Sequence, residues 1–266
     1  MSAPQEDYRH LRVDREGAVA RVRLARPAVR NAFDETLIAE LTRAFLSFVD
    51  DTRTRVVVLT GDGPVFCAGA DVEWMRRAGS FSRTENETDA ERLAGMLRAI
   101  DTCPKPVIAA AHGAAIGGGV GLLAAADIAF AAEGTVFSLA EVKLGILPSV
   151  ISPFVLRSIG VRQARRLFLT GSRFDAQDAL RVGLVHAVSS ADGLEELCRR
   201  EIESLLTSAP QAVETAKKLI AEVAGKSPLE AMPLTVRTIA ERRASEEARE
   251  GLSAFLEKRA PSWAPG

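Results

Sequence analysis

Residues 112–130 read HGAAIGGGVGLLAAADIAF, with three adjacent glycines between two apolar segments. The pattern predicts a buried strand at 107–111, then a short helix after the glycines and another strand at 128–131. Glycines at such a junction leave main-chain N–H groups uncovered at the positive end of the helix dipole. The stretch therefore predicts a place where backbone amides stabilise negative charge on a bound group.

The same glycines allow a second interpretation. Gly117, Gly119 and Gly121 follow a strand with the loose spacing of a dinucleotide-binding loop, and Glu133 stands near the end of the next strand. The following helix is short for that motif, and the motif lies in mid-chain. A dinucleotide enzyme stays an alternative, and a cofactor-dependent absorbance change would identify it.

Strands and helices alternate on both sides of this stretch. Residues 8–13 and 18–24 predict a hairpin, and a helix capped by Asp34 precedes a buried strand at 56–59. A charged helix is predicted at 84–100. Because helices separate the later strands, these strands are expected to pair in parallel, and the fold class is α/β.

The predicted secondary structure changes after residue 190, where strands no longer alternate with helices. Residues 194–258 are predicted to be almost entirely helical, with interruptions at Pro210, Pro228 and Pro233. We therefore expect a core at 1–190 that carries the site and a helical region at 191–266. The helical region would fold back on the core or pack on a neighbouring subunit.

Composition excludes several classes of protein. The 34 lysines and arginines nearly balance the 35 aspartates and glutamates, for a formal net charge of −1, which argues against nucleic acid as a partner. No apolar run is long enough for a bilayer, and the opening MSAPQEDYRH lacks a targeting pattern, so a cytoplasmic location is expected. The three cysteines are scattered and the histidines are isolated, so neither disulfides nor a metal site is predicted.

Two further stretches carry candidate chemistry. FCAGADVEWM, residues 66–75, places small residues between a strand and a helix, where main-chain amides can approach a ligand. FSLAEVKLGILPSVISPFVLRSIG, residues 137–160, has Glu141 as its one acid in a largely apolar segment. Burial would raise the pKa of that carboxyl towards the range useful for proton transfer, although a helix cap is the alternative role.

Together with LARPAVRNAFD at 24–34, GLVHAV and FLEKRAPSW, these stretches resemble the crotonase, or enoyl-CoA hydratase/isomerase, superfamily. The resemblance covers nearly the whole chain. It implies a spiral of ββα units with a helical C-terminal oligomerisation region, assembled as a homotrimer or as a hexamer of two trimers. It also implies an acyl-CoA substrate and no separate cofactor, since coenzyme A enters as part of the thioester.

The resemblance also implies roles for residues. The amides of Ala68 and Gly118 would form an oxyanion hole for the thioester oxygen, and Glu141 would move the proton. Trp74 and Met75 would border the acyl pocket, and Arg26 or Arg30 would face the nucleotide phosphates. The positions that match substrate or coenzyme A contacts are Arg30, Ala32, Ala70, Asp71, Val72, Gly117, Gly121, Ala140 and Pro148.

One departure from the family pattern matters. Two-acid hydratases carry glutamate at the positions of Gly121 and Glu141, and here only Glu141 remains. A single acid also occurs in Δ3,Δ2-enoyl-CoA isomerases. The combination of GGGVGL, EVKLGILPSVISPFV and AGADVEWM is most similar to bacterial methylglutaconyl-CoA hydratases of leucine degradation, which interconvert 3-methylglutaconyl-CoA and 3-hydroxy-3-methylglutaryl-CoA.

We therefore expect a hydratase in which Glu141 serves both water and the α-carbon. The space left by Gly121 would accept a branched or carboxylate-bearing acyl chain, and Lys143 is a candidate cation for that carboxylate. A general enoyl-CoA hydratase, an isomerase and a non-catalytic CoA-binding scaffold are the alternatives. A panel of enoyl-CoA esters distinguishes them.

Overall fold

The computed structural model describes residues 7–264. The strands of these residues are β1 (Leu11–Glu16), β2 (Val19–Leu24), β3 (Val56–Gly61), β4 (Val107–Ala111), β5 (Ala114–Ile116), β6 (Ile128–Ala132), β7 (Val136–Ser138), β8 (Arg173–Phe174) and β9 (Ala187–Ser189). They form a six-stranded sheet in the order β1-β2-β3-β4-β6-β9 and a three-stranded sheet in the order β5-β7-β8.

The described residues also form ten α-helices. They are α1 (Glu35–Ser47), α2 (Val72–Ala78), α3 (Arg83–Asp101), α4 (Gly118–Ala125), α5 (Ser152–Thr170), α6 (Ala176–Val182), α7 (Leu194–Thr207), α8 (Pro210–Val223), α9 (Pro228–Ala244) and α10 (Glu246–Glu257). Within α5, Gly160 departs from helical geometry with φ +71° and ψ 161°. The Asp34 side chain accepts from the Leu37 amide at the start of α1, as predicted.

The pairing of the strands confirms the predicted α/β class. β1 and β2 form the predicted antiparallel hairpin, and β2, β3, β4, β6 and β9 then pair in parallel. The strands predicted at 56–59, 107–111 and 128–131 are confirmed as β3, β4 and β6. Parallel pairing follows because a helix or a long connection returns the chain to the same end of the sheet.

Both faces of the large sheet are covered. In β3, Val57 and Leu59 face the larger core, which α1, α3, α4 and α5 share. Val56 and Val58 face a smaller core with residues of α7. A strand buried on both faces is apolar at every position, which explains why this strand shows no alternation of polar and apolar residues.

Two sequence predictions on secondary structure were incomplete or wrong. The strand β5, directly before the glycines, was missed because it has only three residues. Pro233 was predicted to interrupt a helix, but it lies inside α9, near the N-terminal end. Its missing N–H leaves one carbonyl of the first turns without an intrahelical donor, which water can replace on this exposed helix. The division between residues 190 and 191 stays a prediction.

Candidate active site

The three glycines before and within the first turn of α4 are each required, Gly117 by its backbone conformation and the other two by close packing. Gly117 has φ +50°, a region that side chains disfavour. A Cβ on Gly118 would lie 2.5 Å from the Phe33 ring, and a Cβ on Gly119 would lie 2.6 Å from the Cys67 carbonyl oxygen. The Gly117 amide donates to the Ser138 carbonyl at 2.8 Å. The first turn of α4 is therefore held against two neighbouring segments.

The predicted pair of amides needs one correction. The Ala68 amide donates to the Arg30 carbonyl oxygen at 3.0 Å, so it has no hydrogen left for a ligand. Within residues 7–264, the Ala70 amide has no acceptor, and neither does the Gly118 amide, which begins α4. A Cβ on Gly69 would lie 3.9 Å from the Gly118 nitrogen, so the two loops meet here. The available pair of donors is Ala70 and Gly118.

The sequence prediction missed this choice because a string of small residues does not reveal which amide is already bonded. Arg30 has φ +55° and Asn31 has φ +56°, so the chain turns sharply there. The Asn31 side chain is fully buried, and its amide nitrogen donates to the carbonyls of Asp62, Val65 and Phe66. These hydrogen bonds hold the turn in place, so that the Arg30 carbonyl lies against the Ala68 amide.

Glu141 begins a single 3-10 turn, Glu141–Leu144, beside the glycines. Its Oε1 atom lies 2.8 Å from the position that a Cβ on Gly117 would occupy. Its Oε2 atom is buried and has no hydrogen-bond partner in the described part of the chain. Burial is the main cause of the raised pKa of the Glu141 carboxyl. The group therefore holds a proton more readily than a solvent-exposed glutamate does, which suits it to accept and return one.

These groups line one cavity of about 540 Å³. Its walls are mostly apolar and come from three places: the loop of residues 68–70 with α2 and α3, the start of α4, and the segment 140–151. Eight of the predicted residues line it together with Met75, namely Ala68, Ala70, Trp74, Gly117, Gly118, Ala140, Glu141 and Pro148. Lys143 lies in the lining as well.

Gly121 is not part of the lining. A Cβ at this position would lie 2.4 Å from the Cγ2 atom of Ile151, which is itself buried. The expectation that Gly121 leaves space for an acyl chain is therefore wrong, because Ile151 already fills that space. A glutamate here would displace the start of α5 from α4.

Five residues assigned to coenzyme A do not line the cavity, namely Arg26, Arg30, Ala32, Asp71 and Val72. The Arg26 guanidinium contacts Asp34 at 3.0 Å and Asp71 at 3.1 Å, so its charge is neutralised within the fold, which argues against the phosphate role predicted for it. Asp71 also caps α2 by accepting from the Glu73 amide. Ala32 is buried, whereas Arg30 and Val72 are exposed. Contact of these last residues with coenzyme A stays a prediction.

A second acid lies in the cavity and was not predicted from the sequence. Asp89 of α3 lies in the lining, and its Oδ1 atom accepts a hydrogen bond from the Trp74 indole nitrogen at 3.3 Å. Partial burial is the largest cause of the raised pKa of its carboxyl. The only signal in the sequence was spacing: Asp89 lies one helical turn before Leu93, which also lines the cavity.

The described residues give little support for a reactive thiol, a metal site or a membrane span. Cys67 lies next to the site, but burial raises the pKa of its thiol to about 12, which keeps it protonated. Within residues 7–264, no cluster of three or more His, Cys, Asp or Glu side chains could hold a metal ion. Across the same residues, no helix has both the length and the apolar character that a bilayer span requires.

Comparison with known proteins decides the family. A family model described as "Enoyl-CoA hydratase/isomerase" matches residues 14–265. The chain belongs to this family. The predicted crotonase fold is also confirmed, because the chain superposes on an enoyl-CoA hydratase from Shewanella pealeana with a TM-score of 0.95. The two proteins are 38% identical, over 98% of this chain and 100% of that one.

Two curated relatives in this family extend the comparison. A putative enoyl-CoA hydratase of Thermus thermophilus is 31% identical over 92% of this chain and 97% of its own length. A carnitinyl-CoA dehydratase of Citrobacter koseri is 36% identical over 95% of this chain and 97% of its own length. The similarity therefore spans whole chains, including the segments that carry the two amides and Glu141.

Proposed function

We propose that this enoyl-CoA hydratase/isomerase family member adds water to enoyl-CoA thioesters, with Glu141 as its single acid and base. One observation carries the proposal: a buried carboxyl oxygen without a partner lies beside a loop junction that offers two unused amides. The names of the relatives, which describe hydration and dehydration of CoA thioesters, support the same chemistry.

The two amides act on the thioester carbonyl. When water attacks the β-carbon, the electrons of the double bond move through the α-carbon onto the thioester oxygen. The N–H groups of Ala70 and Gly118 stabilise that negative charge more strongly in the transition state than in the ground state. Gly118 adds the positive end of α4, which favours the same charge.

Glu141 moves one proton twice. As a carboxylate it takes a proton from water while the hydroxide oxygen bonds to the β-carbon. As a carboxylic acid it then returns that proton to the α-carbon when the enolate collapses. Because one group serves both carbons, the hydrogen and the hydroxyl add to the same face of the double bond.

We propose 3-methylglutaconyl-CoA as the substrate, as part of leucine degradation. The support is the resemblance of the three segments named above and the presence of Lys143 in the cavity lining, where a distal carboxylate would meet a cation. The space next to Gly121 plays no part in this proposal. A strong preference for crotonyl-CoA over 3-methylglutaconyl-CoA would remove this substrate while leaving hydration intact.

A second candidate is the Δ3,Δ2-enoyl-CoA isomerase reaction. Its support is the finding that, among the described residues 7–264, Glu141 is the one acid beside the amide junction, since moving a proton between two carbons of one chain requires only one base. The test is to follow the conjugated thioester absorbance with 2-enoyl and 3-enoyl esters. Loss of conjugation in water supports the hydratase, gain of conjugation with 3-enoyl esters alone supports the isomerase, and binding without turnover supports a scaffold.

We also propose that the protein assembles as a homotrimer, or as a hexamer of two trimers, through its C-terminal helices. Apolar side chains are exposed at helical spacing on α9 and α10, namely Leu229, Met232, Val236, Ile239, Leu252, Phe255 and Leu256. Such a surface favours burial against another subunit. Light scattering of the wild type and of Phe255→Glu tests this: a monomeric wild type would contradict the proposal.

A further inference from the structure

Helices α2 and α3 form one wall of the cavity, and this wall carries a carboxylate that has no role in the proposed hydration. Asp89 lies in this lining, while Glu141 and Lys143 reach the cavity from the segment after β7. Around Asp89 the lining is apolar, with Trp74, Met75, Ala78 and Leu93. Because Asp89 is partly buried against these side chains, its carboxylate interacts with a charge on a bound acyl chain more strongly than a fully solvated carboxylate would.

No cation neutralises Asp89 directly. Within residues 7–264 it forms no ion pair, and its hydrogen-bond donor is the neutral Trp74 indole. Arg77 lies close enough to influence it, but the Arg77 guanidinium is paired with Glu35 at 2.7 Å. Arg92 is exposed and Glu35 adds a further negative charge nearby. The field that Asp89 produces in the cavity is therefore negative.

We infer that Asp89, held by Trp74, is a specificity-determining residue that selects acyl chains by the charge of their far end. It disfavours a carboxylate on the α2 and α3 wall and favours an ammonium or a hydroxyl donor there. A carboxylate-bearing chain is then accepted only where its carboxylate lies against Lys143. This inference rests on the proposed function, since it takes the cavity as the acyl pocket.

The test measures binding rather than turnover, so it does not depend on which reaction occurs. Calorimetry compares three saturated thioesters with acyl chains of similar length: valeryl-CoA, glutaryl-CoA and 5-aminovaleryl-CoA. Asp89→Asn is expected to strengthen the binding of glutaryl-CoA, relative to that of valeryl-CoA, by about tenfold. It is expected to weaken the binding of 5-aminovaleryl-CoA, relative to that of valeryl-CoA, by a similar factor. Opposite effects on the two charges separate electrostatics from a change in pocket shape.

Glu91→Gln is the matched control, because it removes one negative charge from an exposed position of the same helix outside the lining. This control is expected to change the affinity of each charged thioester, relative to that of valeryl-CoA, by less than twofold. Asp89→Glu is expected to retain the wild-type preference. Unchanged ratios in Asp89→Asn, or an equal shift in Glu91→Gln, would overturn the inference while the acyl-CoA site stands. If the wild type binds none of the three thioesters, the proposed function fails with it.

Discussion

The two sides of the cavity are built differently. On the amide wall, defined as residues 68–70, residues 117–119 and Glu141, a Cβ on Gly118 or Gly119 would lie 2.5 or 2.6 Å from its neighbour. On the helix wall, defined as α2 and α3, side chains contact the cavity, among them Trp74, Asp89 and Leu93. The amide wall is rigid backbone for the chemistry, whereas the side chains of the helix wall set the shape and charge of the cavity.

The largest effect is expected from Glu141→Gln. This change keeps the size of the side chain but removes the group that moves the proton, so kcat/KM for hydration should fall by about 10³-fold. Affinity for an unreactive acyl-CoA should stay within a few fold, because the amides remain. Spectrophotometric assays with crotonyl-CoA and 3-methylglutaconyl-CoA, together with calorimetry, provide the two readouts.

A smaller loss is expected from Gly118→Ala on the amide wall. The added methyl group would meet the Phe33 ring, and moving α4 away from it displaces the Gly118 amide. Hydration should fall by about 10²-fold through kcat, the size of effect that losing one oxyanion donor produces. Gly95→Ala is the matched control in α3, and there activity should be unchanged while helix propensity adds about 0.5–1 kcal/mol of stability. Equal activity of the two variants would contradict the rigid amide wall.

Gly121→Ala tests the packing behind the amide wall. Its methyl group would overlap the Ile151 side chain, so the free energy of unfolding should fall by about 1–3 kcal/mol. Ile151→Ala removes the overlapping atoms, so the double variant should be more stable than the sum of the two single changes by at least about 1 kcal/mol. Urea unfolding measures all four proteins. Strict additivity would show that Ile151 is not the neighbour that excludes a side chain.

The smallest effect concerns stability and pH. Burial raises the pKa of the Glu141 carboxyl above 4.5, so the folded protein binds this proton more tightly than the unfolded chain does. The protonated carboxyl therefore contributes fully to the free energy of unfolding at low pH, and this contribution is lost as pH rises through the folded pKa. Glu141→Gln stays neutral, so its melting temperature should exceed that of the wild type by about 2 °C at pH 8, and the difference should vanish near pH 4. A difference that grows towards low pH would contradict the buried, unpaired carboxyl.

The sequence predicted the fold well because the fold depends on patterns along the chain. Apolar runs predicted β3, β4 and β6, and the Asp34 cap predicted the start of α1. The family resemblance then predicted the spiral. The three-residue strand β5 escaped because its residues show no pattern of their own, and its existence depends on pairing with β7.

The site was predicted only in part, and the errors share a cause. Glu141 was found because a lone acid in an apolar segment is visible in the sequence. Ala68 was chosen over Ala70 because the partner of an amide depends on the distant Arg30 carbonyl. Gly121 was assigned open space because the position of Ile151 is a tertiary contact. Asp89 was missed because its exposure to the cavity depends on how α3 packs.

In the proposed reaction, one carboxyl group performs both proton transfers of hydration. The most direct test compares the hydration rates of Glu141→Gln and the control Glu91→Gln with crotonyl-CoA, whose acyl chain is uncharged. We expect a loss of about 10³-fold in Glu141→Gln and a change of less than about threefold in Glu91→Gln. A Glu141→Gln variant that keeps more than about a tenth of the wild-type rate, or an equal loss in both variants, would contradict the account.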